Sequence, residues 1–92
     1  MPRASMLGRG ATTIFINADE GGFVGQVGSP SVVSIKSEAP FTVEYQNRTS
    51  EASTTWSADV EAEVAFTVRG AHRQRCDIQV AKPRPAADAP AP

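Results

Sequence analysis

One histidine and one cysteine are the residues of this chain best suited to metal binding or nucleophilic chemistry. His72 and Cys76 are four residues apart, a spacing that could supply two ligands to zinc. A structural zinc site needs four ligands, and the sequence has no second histidine or cysteine. The pattern also predicts that His72 lies in a turn and that Cys76 points inward from a strand as a small buried residue. We therefore expect no metal, no cofactor and no enzymatic activity.

Three carboxylates occupy alternate positions, at Asp59, Glu61 and Glu63. In a strand this spacing places all three on one face, where they could bind calcium or act in glycoside hydrolysis. The sequence lacks the spacing of a calcium-binding loop and has no second acidic cluster to oppose them. We interpret the three carboxylates as a solvated face that protects a sheet edge.

A group of cationic side chains follows the carboxylates. We call it the basic corner, and its members are Arg69, His72, Arg73 and Arg75. No aromatic residues alternate with them and the formal net charge is -1, so nucleic acid is not the expected partner. Residues 38–63 are acidic, and such a charge distribution suits docking to a second copy or to an oppositely charged neighbour. The basic corner is therefore a candidate partner-binding surface, and scattered surface charge is the alternative.

Trp56, the only tryptophan, follows a polar segment that contains the glycosylation triplet Asn47-Arg48-Thr49. The triplet predicts a turn with Asn47 in a left-handed or Asx-turn conformation, and a glycan acceptor is the alternative. Trp56 is expected to begin a short strand and to cover one end of a thin core, with its N–H bonded to a loop carbonyl. An exposed Trp56 that anchors a partner is the second interpretation.

Alternating hydrophobicity predicts β-strands along most of the chain. The longest alternating run is residues 60–70, which places Val60, Ala62, Val64, Phe66 and Val68 on the inward face. Residues 41–47 likewise place Phe41, Val43 and Tyr45 inward. Further strands are predicted at residues 12–17, 23–27, 31–36, 41–47 and 76–80. No segment predicts an amphipathic helix of useful length. We expect an all-β fold, a small antiparallel β-sandwich or barrel of six to seven short strands with an immunoglobulin-like or jelly-roll Greek-key topology.

Composition divides the 92 residues into three parts. Residues 1–10 are expected to be a flexible N-terminal arm, residues 11–81 the β-sandwich domain, and residues 82–92 an extended tail rich in proline and alanine. A hydrophobic fraction of 40 % is typical of a globular domain, and a single cysteine excludes an internal disulfide. Because the first residues lack the apolar segment of a signal peptide, we expect synthesis in a reducing cytoplasm.

The order of these segments resembles that of a known group of proteins. It runs from the β-rich "ATTIFINA" through a glycine- and proline-containing interruption to "FTVEYQ" and "TTW", then to a long alternating strand and a closing strand that continues into "KP". This order is similar to that of the small β-sandwich virion proteins of tailed bacteriophages, which decorate capsids or lie at head and tail vertices. The resemblance covers residues 11–83, and the polar "NRTSEAS" departs from the tighter hairpins usual in that group.

The resemblance implies a non-enzymatic virion structural protein that is synthesised in the host cytoplasm. Its implied partners are the major capsid protein or other virion proteins, together with further copies of itself in a homo-oligomer, and neither nucleic acid nor a membrane is expected. Two alternatives stay open. One is a carbohydrate-binding or adhesion module that uses Trp56 and adjacent loops, and the other is a cytoplasmic regulator that binds one protein target.

Overall fold

The structure, a computed structural model, describes residues 4–83 and consists mainly of β-strands. The strands are β1 (Ser5–Leu7), β2 (Gly10–Phe15), β3 (Phe23–Val27), β4 (Ser31–Tyr45), β5 (Arg48–Thr49), β6 (Ser53–Val60), β7 (Phe66–Arg69) and β8 (Arg75–Ala81). One 3-10 helix, Ala18–Glu20, lies between β2 and β3. The predicted all-β class is confirmed, with eight strands instead of six or seven. Within this part of the chain no helix is long and apolar enough to cross a membrane.

Strand β4 organises the sheet, because its 15 residues pair along both edges. Its first half pairs with β6 and β8, and its second half pairs with β5 and β7, all antiparallel. The pairing with β6 shifts register between Lys36 and Phe41. This interval contains Pro40, which cannot donate to a ladder hydrogen bond. Residues 31–36 and 41–47, expected as separate strands, therefore belong mostly to one strand that passes from one half of the barrel to the other.

The remaining strands extend the sheet beyond β7 and β8. Strand β2 pairs antiparallel with β8, and β3 pairs antiparallel with β7. Strand β1 then adds to β3 in the parallel direction, and an isolated parallel bridge joins Val27 to Ala62. The sheet order is β1-β3-β7-β4-β8-β2, with β5 and β6 also paired to β4. This mixed sheet forms a small, nearly closed barrel.

The hydrophobic core fills the barrel from the inward positions of most of these strands. Its buried apolar residues are Leu7, Ile16, Val27, Val33, Ile35, Phe41, Val43, Val60, Phe66, Val68, Cys76, Ile78 and Val80. Phe66 is 0 % exposed and is the largest fully buried side chain. Cys76 is also buried, as its inward strand position predicted. Burial of these side chains is the main stabilising contribution in so small a barrel.

The prediction of a single strand over residues 60–70 is wrong. Strand β6 ends at Val60 and β7 begins at Phe66, with a turn between them. In this turn Glu63 has a φ of 61° and its N–H donates to a carbonyl of β3 at 2.8 Å. The turn is required because β6 and β7 pair with different parts of β4. The alternation nevertheless identified inward residues correctly, since Val68 is also buried.

The two ends of the chain differ in how far the structure describes them. Residues 5–7 of the expected N-terminal arm form β1, whose Leu7 is buried, and Gly10 begins β2. Pairing with β3, a strand distant in the sequence, orders this segment, and no local pattern indicated it. Residues 1–3 of the arm and residues 84–92 of the expected tail lie outside the described residues.

Candidate functional site

Two arginines of the basic corner, Arg69 and Arg75, already pair within their own chain. Arg69 Nη1 lies 2.9 Å from Glu44 Oε1, and Arg69 Nε donates to the carbonyl of Gly21 at 3.2 Å. Arg75 Nε lies 3.5 Å from Asp77 Oδ1. Because these carboxylates balance the guanidinium groups, the corner offers a partner less positive charge than its sequence indicates.

The other two members of the basic corner, His72 and Arg73, hold a turn in place through hydrogen bonds. His72 lies in the β7–β8 connection, as predicted, and its Nδ1 accepts a hydrogen bond from the N–H of Ala18 at 3.1 Å. Its Nε2 is 3.9 Å from Asp19 Oδ2. Arg73 has a φ of 65°, and its backbone N–H donates to the carbonyl of Ile16 at 2.6 Å. Both residues therefore hold the β7–β8 connection against the segment that follows β2.

Gln74 joins two parts of the chain through its side-chain hydrogen bonds, a role that no sequence pattern indicated. Its Nε2 donates to Ser37 Oγ at 2.9 Å and to the carbonyl of Ala39 at 2.7 Å, and its Oε1 accepts from the N–H of Ala71 at 2.9 Å. These bonds join the β7–β8 connection to the irregular part of β4. Beside them is a groove of about 540 Å³, lined by Lys36, Ser37, Glu38, Ala39, Ala71, Gln74, Arg75 and Asp77. A lone glutamine belongs to no local motif, so only the fold shows this role.

Trp56 lies inside β6 and not at its start. Its ring packs against Phe66, with the ring centroids 6.1 Å apart and the planes inclined by 32°. Trp56 is half-buried at the edge of the core, so it covers part of a thin core as expected. No acceptor for its indole N–H is found within residues 4–83, contrary to the prediction of a bond to a loop carbonyl. Because no buried side-chain nitrogen or oxygen of these residues lacks a partner, this N–H reaches solvent.

The glycosylation triplet lies at the tight hairpin between β4 and β5. Tyr45 pairs with Arg48, and the two residues between them have positive φ, 51° at Gln46 and 62° at Asn47. Two positive φ values in a two-residue loop are the mark of a type I′ turn. The left-handed Asn47 is therefore confirmed. The hairpin and Trp56 border a groove of about 550 Å³, lined by Val43, Tyr45, Gln46, Arg48, Thr49, Ser50 and Trp56.

The three alternating carboxylates do not share one strand. Asp59 is in β6, whereas Glu61 and Glu63 lie in the connection to β7, and all three are exposed. The backbone N–H of Glu61 donates to the hydroxyl of Tyr45 at 2.8 Å. In the part of the chain that the structure describes, no three histidine, cysteine or acidic side chains are grouped so that they could hold a metal ion.

Strand β2 is an open edge of the sheet. It pairs with β8 along one side, and no described strand pairs along its other side. Every β2 residue is exposed except the half-buried Ile14. Phe15 is 62 % exposed, and Met6 of the neighbouring β1 is 57 % exposed. These are the exposed large apolar side chains of residues 4–83, and the sequence predicted the strand but not its edge position.

The Cys76 thiol is buried and poorly suited to nucleophilic chemistry. Burial raises its pKa, a hydrogen bond with the Ser37 side chain lowers it, and the negative charge of Asp77 raises it further, with burial the largest of these effects. The reactive form of cysteine is the thiolate. The environment therefore keeps Cys76 protonated at neutral pH.

Comparison with known proteins finds no relative, since no protein-family model, no curated protein and no solved structure matches this chain. Two parts of the described surface are candidates for partner contact: the open edge of β2, and the groove between Trp56 and the β4–β5 hairpin.

Proposed function

We propose that this protein is a non-enzymatic virion structural protein that binds the major capsid protein or another virion protein, as the resemblance of its segment order implies. The observation that carries the proposal is the exposure of Met6 and Phe15, 57 % and 62 %. They lie on β1 and β2, successive strands of the chain that do not pair with each other. Exposed apolar side chains of this size favour a surface that a protein partner covers.

The exposed side chains of Met6 and Phe15 are better suited to docking a virion partner than the basic corner. Arg69 and Arg75 already pair with carboxylates of this chain, so a partner would have to compete for them. Exposed ion pairs contribute little free energy, about 0 to 1 kcal/mol. Covering the Phe15 ring removes apolar surface from water without such competition. The basic corner then assists docking by orienting the approaching partner.

The composition of virus particles tests this function. Particles made from the genome that encodes this chain should contain the protein in many copies, and the isolated protein should rebind to particles made without its gene. Phe15→Ser should weaken rebinding while leaving the circular dichroism spectrum unchanged, because Phe15 lies outside the core. The matched comparison is a variant in which Arg69, Arg73 and Arg75 are all neutralised. Its loss of rebinding should be smaller and should depend on salt concentration. Absence of the protein from particles would contradict the proposal.

Carbohydrate binding is the second candidate, and the groove beside Trp56 favours it. The groove of about 550 Å³ combines an aromatic side chain with the polar groups of the hairpin. Sugar hydroxyls need such hydrogen-bonding groups, and an aromatic ring provides an apolar surface for the sugar ring. The contact with Phe66 fixes the orientation of Trp56, so the site is formed before any ligand binds.

Binding to an immobilised glycan panel tests this second candidate. Trp56→Leu removes the aromatic ring while keeping an apolar side chain beside Phe66, and Arg48→Ala removes an exposed charged group from the same groove. Loss of glycan binding in both variants, with unchanged thermal midpoints, would favour carbohydrate binding over the virion structural function. Absence of binding to every glycan by the wild-type protein would exclude this function for the groove.

A further inference from the structure

We propose that the open edge of β2 pairs with β2 of a second copy of this chain, in an antiparallel dimer whose two-fold axis passes beside Thr13. The inference rests on the proposed function in so far as a virion structural protein acts as an assembling subunit, and it names the strand and the register. The backbone edge of β2 is thus occupied by another molecule of the same protein, and the virion partner of the proposed function contacts outward side chains of the dimer.

The hydrogen bonds that follow β2 show which backbone groups face the open edge. The N–H of Ile16 donates to the carbonyl of Gln74 at 2.9 Å, which continues the β2–β8 register. Successive residues of an antiparallel strand direct their N–H and C=O groups to opposite edges. The N–H and C=O groups of the even-numbered residues Gly10, Thr12 and Ile14 therefore point toward β8, as those of Ile16 do. The β2 residues that present both groups to the open edge are Ala11, Thr13 and Phe15.

With a two-fold axis beside Thr13, the N–H and C=O groups of Ala11, Thr13 and Phe15 all form hydrogen bonds to the second copy. Thr13 then lies opposite Thr13 of the second copy, and Ala11 lies opposite Phe15 of the second copy. Each opposed pair exchanges two backbone hydrogen bonds, about six bonds in all. The Phe15 ring meets the small Ala11 side chain, which leaves space for it to pack across the strands. The strand Gly10–Phe15 contains no charged residue, so no like charges oppose each other.

The charges that flank β2 favour the antiparallel direction. Arg9 precedes the strand, and Asp19 and Glu20 follow it in the 3-10 helix. Antiparallel pairing places the beginning of one β2 beside the end of the other. The positive charge of Arg9, whose Nη2 donates to Ser29 Oγ and to the Pro30 carbonyl at 3.3 Å, then lies toward the acidic turn of the partner. Parallel pairing would instead place the like charges side by side, which is unfavourable.

The composition of β2 also suits pairing. Its residues Thr12, Thr13 and Ile14 are β-branched, a type with high preference for strands. Edge strands that remain single are protected by lysine, proline, bulges or a covering segment. Strand β2 contains no lysine or proline, and its register with β8 is unbroken over its whole length. The edge therefore retains the regular geometry that a second strand needs.

Disulfide trapping tests the register. In the proposed dimer the Cα atoms of the two Thr13 residues are about 5.5 Å apart, as in other hydrogen-bonded pairs, within the range that a disulfide spans. Under mild oxidation Thr13→Cys should therefore form a covalent dimer. Ala11→Cys is the matched control, because its two copies would be offset by four residues, roughly 13 Å. The native Cys76 is 0 % exposed and does not compete.

Proline substitution tests the role of the edge hydrogen bonds. Thr13→Pro removes an N–H that points away from β8, so the monomer should fold while the dimer loses its central bonds. Thr13→Val keeps the N–H and, like the proline variant, removes the bond from Thr13 Oγ1 to Asp77 Oδ1. In sedimentation experiments the wild type and Thr13→Val should be dimers, and Thr13→Pro should be a monomer with an unchanged circular dichroism spectrum.

Three outcomes would overturn the inference: a wild-type protein that is monomeric at every concentration, a Thr13→Pro variant that stays dimeric, or preferential trapping of Ala11→Cys. The test separates this inference from the proposed function. A monomer that still rebinds to particles contradicts the β2 dimer alone. A β2 dimer that is absent from particles contradicts the virion function alone.

Discussion

Trp56 and Phe66 contact each other across the inside of the barrel, with ring centroids 6.1 Å apart. Trp56 belongs to β6 and Phe66 to β7, two strands that both pair with β4 and do not pair with each other. The ring contact therefore joins two parts of the sheet through the core as well as through the backbone. Phe66 is fully buried whereas Trp56 is half-buried, so the stability of the barrel depends more on Phe66.

Phe66→Ala should lower the free energy of unfolding by about 3 to 5 kcal/mol, because it removes a large buried ring and leaves a cavity. Urea unfolding followed by tryptophan fluorescence measures the change, since the Phe66 ring contacts Trp56. Glu63→Ala is the control. Glu63 is exposed, and both glutamate and alanine carry a Cβ at the left-handed position, so the cost should be small. Equal losses in the two variants would contradict the assigned core.

Gly25→Ala should destabilise the protein by overpacking. A Cβ at residue 25 would lie 2.9 Å from atoms of both the Phe23 and the Phe66 rings. Extra volume in a packed core costs about 1 to 3 kcal/mol. Gly8→Ala is the matched control, because a Cβ there would have no neighbouring atom within 4 Å. Thermal unfolding should show a clear decrease in the midpoint for Gly25→Ala alone, and an unchanged midpoint would contradict the close packing of β3 on Phe66.

Gln46→Asn should stabilise the β4–β5 hairpin. Gln46 has a φ of 51°, a conformation that costs an ordinary residue about 1 to 2 kcal/mol and that asparagine adopts more readily. We expect a gain of about 0.5 to 1 kcal/mol in the free energy of unfolding. Gln46→Val, at the same exposed site, should lower it because a β-branched residue tolerates positive φ poorly. A less stable Gln46→Asn variant together with a more stable Gln46→Val variant would contradict the type I′ turn.

The stability of the protein should decrease in alkaline solution because of Cys76. Burial raises the pKa of this thiol above its ordinary value of 9.0. As the pH rises past that value, the unfolded chain loses the thiol proton while the folded chain keeps it. The folded state then binds more protons, so the free energy of unfolding falls with increasing pH.

Urea midpoints measured at about pH 8 and about pH 10, on either side of the ordinary thiol pKa, test this effect. Cys76→Ala is the comparison: it should be less stable at both pH values but should lose less stability between them. Equal losses in the two proteins would show that Cys76 does not contribute. A thiol reagent should also react with Cys76 only as fast as the protein opens, because the residue is 0 % exposed.

Local patterns predicted a large part of the fold. The inward positions of Val43, Phe66 and Cys76 follow from alternation with a period of two, and all three are buried. The left-handed Asn47 follows from the preference of asparagine for such turns. These features depend on a few neighbouring residues, so the sequence alone indicates them.

The candidate surfaces could not be predicted in the same way, because each depends on which strands become neighbours. The charge of Arg69 is balanced by Glu44, a residue of another strand, 25 positions away. Phe15 is exposed because its side chain lies on the face of β2 opposite the buried Ile16, and no described element covers that face.

The sequence by itself therefore determined the all-β class, the inward positions of Val43, Phe66 and Cys76 and the turn at Asn47, since a strand has a side-chain period of two whatever its partner. Only the tertiary structure decided that β4 is continuous, that the chain turns between Val60 and Phe66, and that β2 has an open edge. Strand pairing joins segments far apart in the chain, and its register depends on the packing of the whole core. No local pattern specifies that pairing.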